Sequence, residues 1–296
     1  MQHRYILFQA YGSEGILQEC KIALMQLLKY NNAGSFSVVL YTDNQDFFKP
    51  ILQQFKYHEI IQLSSEKQKQ WRGAIDFVFR IKIEMIIHFF ETHSGAMLYF
   101  DTDTYCKTSI TPIFDEIENG SILMHTYEGN LDNTRNITFK KWRRFLKENI
   151  VSYDNKPITK TDKIQMWNAG VLGFSDRYVP ELKDVLKLTD EIYPWFPNHT
   201  VEQFAFSFIF QNTTTIKPAD QIIYHYWNLK EYKALLEYFF EKNHALSLLQ
   251  QNDKLQYILP EFIFTEKTLY KNLPFFKKWG KQKWDINTYK RLVDAH

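Results

Sequence analysis

Apolar and polar positions along the first hundred residues alternate between two periods. Short apolar runs predict buried strands, at residues 4–10, 35–42, 58–63 and 96–101. The segments between them carry apolar residues at helical spacing and predict helices, at residues 13–30, 45–55 and 75–93. Strands that alternate with helices in this way predict an α/β protein, with a mostly parallel central sheet flanked by helices and joined by right-handed crossovers.

The pattern loosens after residue 105. Further strands are predicted at residues 121–125, 165–174 and 222–227. Helices are predicted at residues 139–149, 179–193, 201–210 and 230–251, and a long polar loop over 126–163 surrounds the first of them. We expect a catalytic, ligand-binding domain over residues 1–230 and a helical C-terminal extension over 231–296.

Composition and charge argue against several classes of protein: nucleic-acid-binding, disulfide-rich, secreted and membrane-spanning. The formal net charge of +2 gives no reason to expect a nucleic-acid surface. Two cysteines, Cys20 and Cys106, do not indicate a disulfide framework. The apolar run after Met1 is too short for a signal peptide, and no stretch reaches the roughly 18 apolar residues of a membrane-spanning helix. We therefore expect a cytoplasmic protein.

Two aspartates, Asp101 and Asp103, end the apolar run of the fourth predicted strand. Side chains alternate along a strand, so the two carboxylates are expected to point the same way, at the carboxyl edge of the sheet where α/β proteins bind ligands. Two hard oxygen donors there suit Mg²⁺ or Mn²⁺ carrying a phosphate. The alternative is a pair of solvated aspartates at a strand end.

A third ligand to the cation is predicted at His225, which follows the apolar residues of the strand at 222–227. A neutral imidazole favours Mn²⁺ over Mg²⁺. The glycines Gly12, Gly15 and Gly34 fit neither dinucleotide-binding nor P-loop spacing, so a metal and cationic side chains must neutralise the phosphates.

Four segments together resemble a known family. The chain resembles the GT-A-fold nucleotide-sugar glycosyltransferases, most closely glycosyltransferase family 8, over about residues 4–232. The segments are Tyr99-Phe100-Asp101-Thr102-Asp103, similar to the Asp-x-Asp strand, Trp167-Asn168-Ala169-Gly170-Val171, Glu202-Gln203, and the stretch from His225 to Lys230. The last departs from the family's His-x-x-Gly-x-x-Lys: Asn228 stands at the glycine position and Lys230 comes one residue early.

The resemblance implies a role for each matched position. It implies metal ligands at Asp101, Asp103 and His225, with Mn²⁺ or Mg²⁺ as cofactor. It implies contacts to the donor nucleotide and its phosphates, at Gln9, Ala10, Tyr11, Thr42, Asp43, Arg80, Asp101, Thr102 and Lys230. It implies catalytic positions around the transferred sugar and the acceptor, at Asn168, Glu202 and Gln203.

Several candidate site residues have a second interpretation from the sequence. Gln203, for example, also fits a capping box at the start of a helix, with Thr200 as its N-cap. Arg80 is also compatible with the solvated face of an amphipathic helix. Gly170 marks either a close approach of the backbone to another group or an ordinary strand irregularity.

The implied function is a metal-dependent glycosyltransferase that moves a sugar from a nucleoside-diphosphate sugar, a UDP-sugar, to a glycan or glycolipid hydroxyl with retention of configuration. An inverting enzyme would need a carboxylate base, for which Glu202 is the candidate. The alternatives are a non-catalytic nucleotide-sugar or glycan-binding protein of the same fold, and a magnesium-dependent phosphatase with an aspartate nucleophile.

The stretch 264–291 mixes basic and bulky aromatic side chains. Its cations and aromatic residues are Lys267, Lys271, Lys277, Lys278, Lys281, Lys283, Lys290, Arg291, Tyr270, Phe275, Phe276, Trp279, Trp284 and Tyr289. This composition predicts peripheral contact with an anionic membrane at its inner face. The alternative is a solvated basic face whose aromatic residues pack on the core.

Overall fold

The computed structural model describes residues 3–133, 135–153, 156–158, 163–279 and 283–295. Its strands are β1 Arg4–Ala10, β2 Ser37–Thr42, β3 Tyr57–Gln62, β4 Ala96–Phe100, β5 Thr104–Cys106, β6 Ile122–Met124, β7 Tyr127–Asn130, β8 Ser152–Tyr153, β9 Lys156–Pro157, β10 Gln165–Trp167, β11 Val171–Ser175, β12 Ile216–Pro218 and β13 Ile223–His225. Its α-helices are α1 Glu14–Tyr30, α2 Gln45–Leu52, α3 Ser65–Arg72, α4 Arg80–Thr92, α5 Thr111–Glu118, α6 Ile137–Glu148, α7 Val179–Ile192, α8 Val201–Thr213, α9 Tyr232–Lys242, α10 Leu248–Leu255, α11 Pro260–Lys271, α12 Phe275–Lys278 and α13 Lys290–Ala295.

A seven-stranded sheet in the order β12-β6-β11-β4-β1-β2-β3 forms the centre of the molecule. The pairs β1–β2, β1–β4, β2–β3 and β6–β12 are parallel, whereas β11 runs antiparallel to both of its neighbours. The predicted α/β architecture with a mostly parallel sheet is therefore confirmed. The ends of β1, β2 and β4 meet at one edge, the edge that carries the predicted site.

The central part of the sheet is buried on both faces, because β4 is apolar at every position and β1 and β2 are apolar over most of their length. In β1, Ile6 and Phe8 belong to a core shared with α1, whereas Leu7 belongs to a second core shared with α4, α7 and α8. The first core also contains Tyr232 and Ile263 of the C-terminal helices. The predicted domain boundary at residue 230 stays a prediction. Within the described ranges, no helix combines the length and apolar content that a bilayer crossing requires.

The predicted strand at 165–174 is in fact two strands. The first, β10, pairs with β7 in a separate two-stranded ribbon, whereas β11 pairs with β4 and β6 in the central sheet. Asn168, Ala169 and Gly170 lie between them. The local pattern did not reveal this break, because the two strands differ in their pairing partners, which the spacing of apolar residues does not specify.

The helix predicted to begin at residue 75 begins at Arg80 instead. Gly73 and Asp76 have φ values of +66° and +47°, which an α-helix cannot contain. The preceding helix α3 was not predicted, because Trp71 is its one buried residue and its sequence therefore lacks an apolar period. Likewise, the helix predicted over 230–251 is divided into α9 and α10, where Ser247 begins a new helix with a capping box.

Candidate active site

A turn, and not a continuing strand, brings the two aspartates together. Strand β4 ends at Phe100, and the chain then turns through Asp101, Thr102 and Asp103. The hydroxyl of Thr104 donates to the carbonyl oxygen of Asp101 at 2.7 Å and helps to hold the turn. The expected convergence of the carboxylates is therefore observed, but its predicted cause, alternation along one strand, is wrong.

A short ribbon places His225 beside these carboxylates. Strand β13 pairs antiparallel with β5, with His225 opposite Thr104, and the backbone N–H of Tyr226 donates to the carbonyl of Asp103 at 3.0 Å. One ligand atom from each of Asp101, Asp103 and His225 lies within 4.8 Å of the others. The three predicted metal ligands therefore share one possible coordination sphere.

Gly170 makes room for the histidine. A Cβ atom at this position would lie 2.2 Å from Cε1 of His225, far inside van der Waals contact. Of the two interpretations of this glycine, the structure supports the close approach, and the group approached is the imidazole ring.

The chemistry of the cluster fits a divalent cation. Two carboxylates and one imidazole are donors that together can hold a divalent cation. Burial opposes the charge of Asp103, yet the adjacent His225 Nε2, 3.1 Å from Asp103 Oδ1, holds the pKa of that carboxyl below its usual value. Burial likewise opposes the charge of His225, and the carboxylate of Asp103 raises its pKa. A bound cation would replace the imidazole proton in this pair.

Lys82 lies directly behind the aspartates and is 3% exposed. Its Nζ lies 3.1 Å from an oxygen of Asp101 and 3.0 Å from an oxygen of Glu202, and it donates to the carbonyl of Ala169 at 3.0 Å. Burial alone would lower the pKa of Lys82, but the two carboxylates outweigh it and raise that pKa above its usual value. The hydroxyl of Tyr99 donates to Asp101 at 2.5 Å and completes this buried cluster.

Arg80 does not line the cleft, and its predicted contact with the donor stays a prediction. Its guanidinium donates to Asp190 at 2.7 Å, to Glu84 at 2.7 Å and to the carbonyl of Trp71 at 2.8 Å. Lys82 occupies the place expected for Arg80. The interpretation as a solvated helix face is also wrong, because Arg80 is buried in this network.

Glu202 is the buried carboxylate of the site and not an open base. It is 3% exposed, and burial raises its pKa to about 7 even though Lys82 opposes the shift. Gln203, the next residue, reaches the cleft and donates through Nε2 to Glu128 at 2.8 Å.

Glu128 is a site residue that the sequence did not indicate. It lies on β7, and besides Gln203 it accepts a hydrogen bond from Nδ2 of Asn168 at 3.1 Å. The segment 126–163 is polar and lacks an apolar period, and this pattern predicts a loop. The antiparallel pairing of β7 with β10 nevertheless makes it part of the site.

The residues predicted to line the nucleoside pocket lie at the ends of β1 and β2. Ala10 and Thr42 are fully buried, and the backbone N–H of Gly12 donates to Asp43 at 2.9 Å, which ties the two strand ends together. Burial raises the pKa of Tyr11. The charge of Asp101 acts in the same direction, and the charge of Lys82 acts in the opposite one. Gln9 has a buried Oε1 without a partner within the described residues.

A cleft of about 710 Å³ opens over the cluster. Its lining includes the predicted residues Asp101, Asp103, Asn168, Glu202, Gln203, His225 and Lys230, and the unpredicted Lys82, Glu128 and Trp227. Within the described part of the chain, the lining does not include Gln9, Ala10, Tyr11, Thr42, Asp43, Arg80 or Thr102. The structure thus brings the predicted metal ligands, the predicted catalytic residues and Lys230 together in one cavity, whereas the residues at the ends of β1 and β2 lie outside its lining.

Comparison with solved structures returns glycosyltransferases. Mouse xyloside xylosyltransferase 1 in its apo form superposes with a TM-score of 0.48 at 17% identity, over 73% of this chain and 84% of that one. The galactosyltransferase LgtC with donor and acceptor sugar analogues gives 0.47 at 12% identity, over 69% and 70%. Core-mannan synthase A from Aspergillus fumigatus in its Mn/GDP form gives 0.47 at 9% identity, over 76% and 75%.

No protein-family model matches the sequence, and no curated protein matches it either. The three solved structures belong by their names to the enzyme class that the sequence motifs predict. Identities of 17% and below leave donor, acceptor and stereochemistry to be inferred from the side chains of this chain itself.

Proposed function

We propose that this protein is a metal-dependent glycosyltransferase that transfers a sugar from a UDP-sugar to a hydroxyl of a glycan or glycolipid, with retention of configuration. The observation that carries the proposal is the cluster of Asp101, Asp103 and His225 at the floor of a cleft that also contains Lys82 and Lys230. Such a site would place a metal cation and two lysine ammonium groups near the diphosphate leaving group, whose developing negative charge must be neutralised.

Each group in the cleft has a role in this reaction. Asp101, Asp103 and His225 would hold Mn²⁺, which as a Lewis acid would neutralise charge on the departing diphosphate. Lys230 would donate to a phosphate oxygen. Asn168 and Gln203 would present amide groups to the transferred sugar and the acceptor. The bond from the anomeric carbon to the diphosphate breaks and the diphosphate leaves with the electron pair. The acceptor oxygen bonds that carbon and passes its proton to an oxygen of the departing diphosphate.

The metal and donor proposal is tested with Asp103→Ala. The variant removes one carboxylate of the cluster, so we expect Mn²⁺-dependent binding of UDP to be lost in titration calorimetry. Asp253→Ala, at an exposed position on α10, serves as the matched control and should bind as the wild type does. Unchanged UDP affinity in Asp103→Ala would contradict the proposal.

Turnover distinguishes the enzyme from a binding protein of the same fold. The wild type is incubated with UDP-, GDP- and CMP-sugars and with manganese or magnesium, and release of free nucleotide is measured with and without glycan acceptors. We expect release from a UDP-sugar, fastest with manganese, and a product whose anomeric configuration by NMR equals that of the donor. Binding without turnover would favour the non-catalytic alternative.

We further propose that the C-terminal helices touch the inner, anionic face of a membrane. Exposed apolar side chains line them, with Phe276 74% and Trp279 83% exposed, together with Phe262 and Leu269. Lys271, Lys277 and Lys278 lie beside them, whereas Lys281 and the side chain of Phe275 lie outside the described part. Lys267 and Tyr289 are buried and do not belong to this surface.

Vesicle sedimentation tests this membrane contact. We expect the wild type to sediment with vesicles of phosphatidylglycerol and phosphatidylcholine and the double variant Phe276→Ser/Trp279→Ser to sediment less. Vesicles of phosphatidylcholine alone are the control for charge. Equal sedimentation of both proteins would favour the solvated basic face.

A further inference from the structure

The side-chain amide of Asn168 has only one orientation compatible with its neighbours. Its Oδ1 accepts the backbone N–H of Gly170 at 3.0 Å, and a backbone N–H can only donate. Its Nδ2 lies 3.1 Å from a carboxylate oxygen of Glu128, and a carboxylate can only accept. Two independent partners thus agree on which amide atom is oxygen.

This orientation has a consequence for His225. The oxygen of Asn168 lies 2.9 Å from Nδ1 of His225, so Nδ1 must carry a hydrogen to make that bond. The lone pair of the neutral ring is then on Nε2, the nitrogen 3.1 Å from Asp103. A metal-binding histidine usually donates its other ring N–H in this way, which fixes the tautomer and the ring direction.

Among the described residues, the other neighbours of the ring do not accept a hydrogen bond from Nδ1 of His225. His125 packs edge-on against His225 with ring centres 5.2 Å apart, but its Nε2 is bound to the carbonyl of Ile223. Gly170 supplies space below the ring and, through its N–H, half of the constraint on Asn168. Gln203 holds the second oxygen of Glu128 and so fixes that carboxylate in turn.

We propose that Glu128 and Asn168 are positioning residues that hold His225 in its Nδ1–H tautomer, so that Nε2 is presented to the cation between the aspartates. This relay rests on the proposed function, because it presumes that the Asp101, Asp103 and His225 cluster binds a metal.

Mn²⁺ titration calorimetry on the full chain without nucleotide tests the relay. Asn168→Leu has a similar volume and no acceptor for Nδ1–H, so we expect Mn²⁺ to bind tenfold to a hundredfold more weakly, the range found when such partners of metal ligands are removed. Glu128→Gln replaces the carboxylate that accepts hydrogen bonds from the side-chain amides of Asn168 and Gln203 with a third amide. It should weaken binding less, by a factor of about two to ten, since the Gly170 N–H still orients Asn168.

The decisive variant is the double substitution Glu128→Gln/Asn168→Asp, which reverses the polarity of one hydrogen bond. An aspartate at 168 still accepts from His225 Nδ1 and from the Gly170 N–H, and the new amide at 128 can donate to it. The total charge of the pair equals that of the wild type. We expect Mn²⁺ affinity within about threefold of wild type, tighter than for either Asn168→Leu or Glu128→Gln.

Tyr127→Phe, on the same strand, removes a hydroxyl that donates to Asn130 and should leave Mn²⁺ affinity unchanged. Thermal unfolding identifies any variant that fails to fold, and if Asn168→Leu does so, the comparison of Glu128→Gln with the double variant decides. Wild-type affinity in Asn168→Leu, or no recovery in the double variant, would overturn the relay while leaving the proposed function intact. Failure of the wild type to bind Mn²⁺ would instead overturn the proposed function, and the relay with it.

Discussion

Two lysines, Lys82 and Lys230, line the cleft, and they are held very differently. Lys82 is buried among three acceptors on Asp101, Glu202 and Ala169. Lys230 is exposed, on the segment between β13 and α9, and within the described residues its ammonium has no ion-pair partner. One cation is positioned by folding, whereas the other keeps its side-chain freedom until a ligand orders it.

We therefore expect Lys82 to contribute mainly to the free energy of unfolding and Lys230 mainly to the free energy of ligand binding. Removing Lys82 leaves two carboxylates without their cation in a buried place, so its interactions belong chiefly to the stability of the fold. In the proposed function, Lys230 is ordered by the phosphate it binds, so we expect its interactions to contribute chiefly to affinity. The backbone near Lys230 is nevertheless anchored, because Lys267 Nζ donates to the carbonyl of Asn228 at 3.4 Å and to the carboxylate of Glu231 at 2.7 Å.

Lys82→Met should have the largest effect. It leaves Asp101 and Glu202 facing each other without a cation, and breaking a buried pair in this way costs about 3 to 5 kcal/mol. Urea denaturation without metal measures the unfolding free energy. Without Lys82, the buried carboxyl of Glu202 must either take up a proton or stay charged and unpaired, so its removal in Lys82→Met/Glu202→Gln should restore part of the loss. A single variant as stable as wild type would show that Lys82 is not held as tightly as its contacts indicate.

Lys267→Met should have the next largest effect. Lys267 is 5% exposed, but Glu231 is 46% exposed by side chain and can be hydrated when its partner is lost. We therefore expect a loss of about 1 to 2 kcal/mol in unfolding free energy, together with weaker UDP binding because the segment carrying Lys230 loses its anchor. Lys271→Met, at an exposed position on the same helix, is the control. Unaltered UDP affinity would separate the C-terminal helices from the cleft.

Glu202→Gln should change the pH dependence of stability. Burial raises the pKa of Glu202 to about 7 in the folded protein, above its unfolded value of 4.5. The stabilisation from this carboxyl is therefore complete below pH 4.5 and is lost as the pH rises through 7. Relative to the wild type, the variant should thus become progressively more stable between pH 5 and pH 8 in metal-free denaturation experiments. A pH-independent difference would contradict the raised pKa.

Lys230→Ala should have the smallest effect on the fold. An exposed side chain without an ion pair changes the unfolding free energy by less than about 0.5 kcal/mol. UDP affinity in the presence of Mn²⁺ should fall about tenfold, the equivalent of one charge-assisted hydrogen bond to phosphate of about 1.5 kcal/mol. High salt should reduce the difference between variant and wild type in calorimetry. A large loss of stability in Lys230→Ala would mean that Lys230, like Lys82, is held by interactions that stabilise the fold.

The sequence by itself determined the elements whose signals are local. Short runs made mostly of apolar residues predicted β1, β2 and β4, because strands buried on both faces carry apolar residues on both sides and so lack a polar alternation. The sequence also predicted the chemistry of the cluster. Asp101 and Asp103 directly follow an apolar strand, and His225 follows a second, short apolar run later in the chain.

Only the tertiary structure decided between Arg80 and Lys82, and it alone revealed Glu128. Two residues apart on a helix point about 200° apart around its axis. The choice of which cation enters the site therefore depends on how α4 packs, and the unforeseen turn at Asp76 sets where that helix begins. Glu128 reaches Asn168 because β7 pairs with a strand 35 or more residues later, and a pairing between distant segments leaves no local period in either of them.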